Sequence, residues 1–340
     1  MKTRSIPAIA AVIFLNMGFA HANAFTQSVF ATGAAIGATG PDSVTFGDGS
    51  LWVAYQNGAA SDGSSGSSLV VRYSLSGTVQ NQWTIPGNVD GLRIDPTGLV
   101  WALQNNDGNS ALTTINPNTN ATQPYSYGSS YTNRANRGFD DVEFSNGMTF
   151  FSETNPAGPT DPILLALVNS LASPPLQLTV LLNAGPITDP DSLILMTNGD
   201  LALTGEADQT IVFIHNPGTA SQSVTYLPLL GVGAGLPDDT SFPNASQGLF
   251  FYADTGANTV YEVSATGLTP GSAFIDVGNE FGSLNTSTGL VTSIFTGVSP
   301  HGLFFVATPE PAAIYGLLTV VLLFAANRIR QRQTLISRAR

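Results

Sequence analysis

The sequence has no cysteine, and its long central part has almost no basic residues. Without cysteine the protein has neither disulfides nor a thiol nucleophile. Residues 25–307 hold no lysine, four arginines and 22 of the 23 acidic residues, which gives this part a net charge of −18. Such a charge repels nucleic acid, and it repels anionic polysaccharide unless divalent cations bridge the two.

Histidine is also scarce, and this removes several kinds of active site. Beyond the first 24 residues only His215 and His301 occur. No His-x-x-x-His or Cys/His spacing is present, so a zinc site of either kind is excluded. No Gly-x-Ser-x-Gly motif is present either, which argues against a serine hydrolase elbow.

The first 24 residues have the layout of a secretory signal peptide. Lys2 and Arg4 supply the positive start, and an uncharged apolar run of residues 6–20 follows. The small residues of Ala22-Asn23-Ala24 then provide a site for signal peptidase. The alternatives are cleavage after Ala22 and an uncleaved N-terminal anchor, for which the apolar run is short.

The other end of the chain carries a short apolar segment between a proline motif and an arginine cluster. Pro309-Glu310-Pro311 comes first, and residues 312–327 are uncharged. The cluster begins with Arg328, Arg330 and Arg332. As a helix, about 15 apolar residues span roughly 22 Å, which is short for a bilayer core of about 30 Å and predicts a thin or transient transmembrane helix. Basic residues on one side predict that residues 333–340 form a cytoplasmic tail.

These features of residues 308–332 together resemble the PEP-CTERM sorting domain of Gram-negative bacteria that make exopolysaccharide. The resemblance implies processing near Pro309-Glu310-Pro311 by an exosortase, a membrane protease-transpeptidase. It also implies export through the inner membrane to the cell envelope, cell surface or extracellular matrix, with exopolysaccharide as a possible partner. The extension 333–340 departs from tails that stop soon after the basic cluster. An ordinary C-terminal anchor is the alternative.

The central part repeats one phrase, in which an aspartate leads an apolar strand, a Gly-centred turn and a second apolar strand. The copies read PDSVTFGDGSLWVAY, VDGLRIDPTGLVWALQ, FDDVEFSNGMTFFSE, PDSLILMTNGDLALTG and PDDTSFPNASQGLFFYAD. The lead residues are Asp42, Asp90, Asp140, Asp191 and Asp238, at spacings of 48, 50, 51 and 47. A period near 50 made of short strands is typical of propeller blades.

The repeat predicts an all-β protein with one β-propeller over residues 25–307. Each phrase is interpreted as the inner strand pair of a blade. The last blade is predicted to be split between the two ends of this region. Residues 281–298 supply two outer strands, and residues 299–306 supply an inner strand pair. Residues 25–37, at the start, pair beside these final strands. Six blades result, with five or seven as alternatives. A β-sandwich is disfavoured because its strands do not come in packets of four.

The phrase VDGLRIDPTGLVWAL also resembles blades of NHL-like and gluconolactonase-like propellers. In the lactonase group an aspartate at the position of Asp90 binds a central divalent metal, with a Glu and an Asn from other blades. The resemblance implies a cation such as calcium at the lead aspartates, with Glu143, Glu153 and Asn105 as candidate partners. The alternative is structural, with each lead aspartate accepting backbone N–H groups at its own inner strand. His301 is interpreted as a turn or central-channel residue.

Two functions follow from these patterns. The first is an exported cell-surface or biofilm-matrix protein whose propeller binds or supports other molecules without catalysis. The second is a metal-dependent hydrolase or lactonase-like enzyme that uses an acidic central channel. They differ in whether carboxylates from three or more blades converge on one point.

Overall fold

The computed structural model describes residues 24–131 and 134–309. The predicted signal peptide before Ala24, the residues Glu310 and Pro311, the apolar segment and the arginine cluster lie outside this part. No helix among the described residues combines the length and the apolar character needed to span a membrane. The described chain is almost entirely strands, with a short 3-10 helix at Gly33–Ile36.

The strands are numbered in chain order. The first eight are β1 (Ala24–Thr32), β2 (Pro41–Gly47), β3 (Ser50–Tyr55), β4 (Ser67–Ser74), β5 (Val79–Pro86), β6 (Val89–Ile94), β7 (Val100–Gln104) and β8 (Ala111–Ile115). The next eight are β9 (Thr122–Ser126), β10 (Phe139–Ser145), β11 (Met148–Glu153), β12 (Pro162–Leu167), β13 (Leu178–Asn183), β14 (Pro190–Leu195), β15 (Leu201–Gly205) and β16 (Thr210–His215). The last eight are β17 (Ser223–Pro228), β18 (Pro237–Ser241), β19 (Gln247–Asp254), β20 (Thr259–Thr266), β21 (Ala273–Val277), β22 (Glu280–Leu284), β23 (Val291–Thr296) and β24 (Pro300–Ala307).

These strands form six four-stranded antiparallel sheets, which are the blades of a propeller. Blades 1 to 4 are β2–β5, β6–β9, β10–β13 and β14–β17 in simple order. Blade 5 has the order β18-β21-β22-β23, and blade 6 has the order β24-β19-β20-β1. The six innermost strands contact one another in a closed ring, from β2 through β6, β10, β14 and β18 to β24 and back to β2. The all-β fold with six blades is therefore confirmed.

Local sequence explains the hairpins at the centre of the first four blades. Asp48-Gly49 and Asn146-Gly147 both adopt positive φ, as the tight turns of antiparallel pairs require. Gly98 and Gly199 take positive φ at the equivalent turns. Apolar side chains from facing sheets fill the space between blades, and Trp52, Trp83 and Trp101 are all buried there.

The fifth phrase was predicted to form one hairpin, and the structure differs. Its two strands belong to different blades, because β18 pairs with β21 while β19 pairs with β20 and β24. Between β18 and β19 the chain crosses from blade 5 to blade 6. This crossing is tied to the loop after β20: the N–H of Leu268 bonds to the Ser246 carbonyl, and the N–H of Gly271 bonds to the Pro243 carbonyl. Two strands joined by five residues can also form a hairpin, so the phrase did not reveal the exchange.

The closing blade also differs in part from its prediction. Residues 299–306 do not form an inner strand pair but enter one strand, β24, which is innermost in blade 6. The two strands β22 and β23 are outer strands as predicted, but they complete blade 5. The start of the described chain does join the blade of the last strand, since β1 is its outermost strand and pairs with β20 from Ala24↔Thr266 to Thr32↔Thr259.

Candidate functional site

A pit of about 400 Å³ opens at the end of the central channel where the inner strands begin. The second residue of each inner strand lines this pit. Five of these residues are the lead aspartates, and the sixth is a histidine. In ring order they are Asp42, Asp90, Asp140, Asp191, Asp238 and His301.

Three of the predicted metal-binding aspartates converge on one point. One carboxylate oxygen from each of Asp90, Asp140 and Asp191 lies within 4.8 Å of the other two. These residues come from three blades, as the hydrolase interpretation requires. The other two predicted ligands lie beside the histidine: His301 Nδ1 is 2.6 Å from Asp238 Oδ2 and 3.8 Å from Asp42 Oδ1.

Crowding of carboxylates changes their proton affinities. Burial and the neighbouring charge of Asp90 raise the pKa of Asp42 and of Asp140 well above the usual range. Burial and Asp140 do the same to the pKa of Asp191. Burial acts against the charge of His301, but Asp238 outweighs it and raises the imidazole pKa to about 11. The pit is therefore a place where an added positive charge would be strongly favoured.

Part of the pit wall comes from residues that directly follow the second strand of blades 1, 3, 4 and 6. Gln56 follows β3, and its Nε2 donates to Asp90 Oδ1 at 2.9 Å. Thr154, Glu206 and Thr255 follow β11, β15 and β19 and line the same pit. Burial, with the charges of Asp238 and Asp189, raises the pKa of Glu206 to about 7. A carboxyl with this pKa exchanges protons readily near neutral pH.

One buried carboxylate oxygen in the pit has no partner. Asp239, which follows Asp238 in β18, is 6 % exposed, and its Oδ2 accepts the N–H of Leu303 at 2.8 Å. Its Oδ1 has no hydrogen-bond partner, although the residue lines the pit. The three converging carboxylates offer hard oxygen donors, which suit calcium, magnesium or manganese. The residues present therefore fit a divalent cation.

A buried arginine lies further along the channel. Arg93 is three residues beyond Asp90 in β6 and is 5 % exposed. Its Nη2 lies 2.6 Å from Asp141 Oδ2, and its Nε lies 3.5 Å from Glu143 Oε2. The Nη2 also donates to the Leu193 carbonyl at 3.1 Å. This network links blades 2, 3 and 4 and places a fixed cation below the aspartate ring.

The other candidate partners of the metal do not join the three aspartates. Glu143 is engaged by Arg93 as described, and Glu153 is fully buried between Arg134 and Arg137. The Oδ1 of Asn105 accepts the N–H of Asn88 at 3.1 Å. The structural alternative predicted that the lead aspartates themselves accept backbone N–H groups. Asp141 and Asp239, each one residue after a lead aspartate, accept N–H groups of neighbouring inner strands, from Leu193 and Leu303. Asp141 also accepts the N–H of Val142 in its own strand.

Sequence reasoning placed His301 in a turn or the channel but missed its equivalence to the lead aspartates. The signal was present, because Pro300-His301-Gly302 aligns with Pro41-Asp42-Ser43 at the start of an inner strand. Glu206 and Asp239 were missed as pit residues. Glu206 directly follows a phrase, so a search for polar residues after each second strand would have found it.

The chain matches no protein-family model and no curated relative. Among solved structures it is similar to a candidate gluconolactonase, at 12% identity and a TM-score of 0.51, with 82% of this chain and 83% of that one covered. It is also similar to a protein of unknown function from Bacteroides caccae, at 13% identity and a TM-score of 0.50, covering 79% and 87%. Such low identities show the fold alone: a β-propeller of the kind seen in a candidate gluconolactonase.

Proposed function

We propose that this chain is an exported propeller that binds a divalent cation in its central pit and hydrolyses a neutral lactone or similar ester there. The observation that carries the proposal is the convergence of Asp90, Asp140 and Asp191, whose carboxylate oxygens lie within 4.8 Å of one another. Three like charges at this distance repel strongly unless protons or a cation neutralise them. The likeness to a candidate gluconolactonase agrees with the proposal at the level of fold.

The pit residues have distinct roles in this proposal. Asp90, Asp140 and Asp191 hold the cation. Such a cation would polarise a carbonyl and lower the pKa of a bound water. Glu206, whose pKa is about 7, accepts a proton at the wall of the pit. Because the described lining is rich in carboxylates, it repels anions and favours a neutral substrate.

The test measures cation binding and hydrolysis on the same protein. Adding calcium, magnesium or manganese at roughly 100 times Kd should raise the unfolding temperature by about 5 °C, because the ion binds only the folded state. Hydrolysis of neutral γ- and δ-lactones, followed with a pH indicator, should require the same ion.

Asp90→Asn and Asp140→Asn should abolish both effects, because each removes a charged ligand. Asp62→Asn makes the same chemical change on a fully exposed loop and serves as the control. If none of the three ions shifts the unfolding temperature at millimolar concentration, the cation-binding proposal is wrong.

The second candidate is a non-catalytic binding or structural propeller of the cell surface or biofilm matrix. It is favoured by the bonding of the lead residues to one another. Burial raises the pKa of Asp140 and of Asp191. In their protonated forms Asp140 can bond to its neighbours Asp90 and Asp191, while Asp191 and His301 can both donate to Asp238. This chain of contacts satisfies the ring without a substrate. A cation-dependent rise in unfolding temperature without hydrolysis of any lactone would favour this candidate, with the cation bridging exopolysaccharide.

We further propose that the chain is sorted through its C-terminal segment and processed by an exosortase-type enzyme. The proposal rests on the motif Pro309-Glu310-Pro311, the uncharged stretch after it and the arginines Arg328, Arg330 and Arg332. The propeller itself ends close to this motif, because β24 ends at Ala307 and the Pro309 carbonyl accepts a hydrogen bond from Gln247 Nε2 at 2.7 Å.

Mass spectrometry of the protein recovered from the surface of the producing cells tests the sorting proposal. The mature C-terminus should lie near Pro311, because the arginines hold the end of the chain on the cytoplasmic side. Replacing Arg328, Arg330 and Arg332 with glutamine should reduce processing. Surface protein that still ends at Arg340 would show that the segment is a plain anchor.

A further inference from the structure

The central pit is open on one side to a second cleft. This cleft has a volume of about 700 Å³ and shares Glu206, Asp238 and His301 with the pit. Its remaining walls differ in character from those of the pit. The side chains that line only the cleft are mostly apolar, with a polar edge at strands β22 and β23. The apolar ones are Val232, Ala234, Leu236, Val277 and Pro300, and the polar ones are Asn279, Glu280 and Thr296. The two spaces therefore form one continuous site with a polar end and an apolar end.

The opening lies where the wall of the pit lacks a side chain. In blades 1, 4 and 6 the residue after the second strand is Gln56, Glu206 or Thr255, which all line the pit. In blade 5 the second strand is β21, and the residue that follows it is Gly278. Its φ of +54° and the 2.8 Å between an added Cβ and Gly235 Cα both disfavour a larger residue. The exchange of strands between blades 5 and 6 is what brings β21 to this position.

The far wall of the cleft is held in place by hydrogen bonds. Gln209 Nε2 donates to the carbonyls of Gly233 and Gly235, at 3.1 and 2.7 Å. The N–H of Gly278 donates to the Leu236 carbonyl at 2.9 Å. Leu236 is 46% exposed, although it lies at the edge of the cleft. A leucine held in position with half of its surface open is suited to contact an apolar ligand.

We infer that the cleft binds an alkyl substituent of a neutral substrate whose oxygen-bearing end occupies the pit. This inference rests on the function proposed for the pit and narrows it to alkyl-substituted lactones or esters. The pit and the cleft are continuous, so a ligand that contacts His301 and Glu206 from the pit has the apolar walls of the cleft as its next neighbours. Carboxylates on the pit side exclude an anionic head group, so fatty acids are not expected ligands.

The test compares two neutral diols that do not react, 1,2-octanediol and 1,2-propanediol, titrated into the purified protein with and without calcium. Saturation-transfer NMR measures each Kd. Each buried methylene strengthens binding about fourfold, so partial burial of the longer chain should lower Kd by roughly tenfold or more. Leu236→Gln should remove most of this preference. Val232→Thr is a near-isosteric second variant and should reduce it too.

Leu290→Gln is the matched control, because Leu290 is 47% exposed and lies outside the cleft. It should leave the preference unchanged. Equal Kd values for the two diols, no binding of octanediol, or equal effects of Leu236→Gln and Leu290→Gln would each overturn the inference. The calcium arm separates it from the function of the pit. A chain-length preference without any calcium effect supports the cleft and contradicts the cation site. A calcium-dependent rise in unfolding temperature without a chain-length preference supports the cation site and contradicts the cleft.

Discussion

The carboxyl groups of the pit differ in which neighbouring groups set their pKa. Burial raises the pKa of Asp238, but His301 outweighs it and lowers the pKa below its usual value. His301 also lowers the pKa of Glu206, but burial with the nearby charges of Asp238 and Asp189 outweighs it and raises the pKa to about 7. Each such group makes the stability of the protein depend on pH in its own direction.

Glu206 should make the ion-free protein less stable as the pH rises from about 4.5 to 7. Its folded-state pKa of about 7 lies above the value of 4.5 for an unperturbed carboxyl. In this window the folded protein holds the proton and the unfolded chain has lost it, so raising the pH favours unfolding. Glu206→Gln should flatten this part of the profile of unfolding temperature against pH, measured with a chelator present.

Asp62→Asn is the control for that experiment. The bonds from Ser64 lower the pKa of Asp62, so its titration affects stability only at pH values below this window. The control profile should therefore keep the slope of the unmodified protein between pH 4.5 and 7. An unchanged slope in Glu206→Gln would contradict the assignment of the raised pKa to this residue.

The ring of lead aspartates was predictable because each stands at the same point of a repeated phrase. The phrase fixes the inner strand, and the inner strand brings Asp42, Asp90 and their equivalents to one end of the channel. The distances between them were not predictable, since they depend on how far the blades tilt around the channel. Asp239 was missed because its role follows from a bond to Leu303 in a strand 64 residues away in the chain.

At the level of elements, the closure of the ring depends on the packing of β1. A register shift between Val29 and Ala31 marks a bulge in β1 at Phe30. The Phe30 ring packs edge-on against Phe251 in its own blade, at 5.0 Å between centroids, and against Tyr73 of blade 1, at 5.7 Å. This one side chain therefore joins the first and last blades.

Phe30→Ala should lower the free energy of unfolding by about 2–3 kcal/mol, because it removes both ring contacts and leaves a cavity at the joint. Val29→Ala is the matched control in the same strand. Val29 is 58% exposed, so its truncation should change the free energy by less than about 0.5 kcal/mol. Chemical denaturation of the two variants gives the comparison. Similar small losses in both would show that β1 contributes little to closure.

The exchange between blades 5 and 6 was not predictable from local pattern. The strands β18 and β19 are separated by five residues, 242–246, a length that also fits a hairpin. Most residues of both strands are buried, and burial does not specify which sheet a strand joins. The deciding contacts are long-range, such as the bond from the N–H of Asp239 to Asp276 Oδ1 at 2.5 Å.

At the scale of the whole molecule, the blade number followed from the period of the phrase. Five phrases near 50 residues apart and one incomplete copy correctly predicted six blades, because each phrase contributes one innermost strand. The assignment of outer strands was harder, since β22 and β23 suit either of the last two blades equally well. Geometry around the ring, rather than propensity, decides between them.

The pairing of β1 with β20 has a consequence for the time course of folding. Thr32 pairs with Thr259, 227 positions further along the chain. At a synthesis rate of about 5–20 residues per second, the two strands become available roughly 10–45 s apart. During that interval β1 is an edge without a partner, and such edges are prone to pair with other chains. The strand that is made first therefore waits longest, and the ring can close only after β24, the last strand of the described chain, has been synthesised.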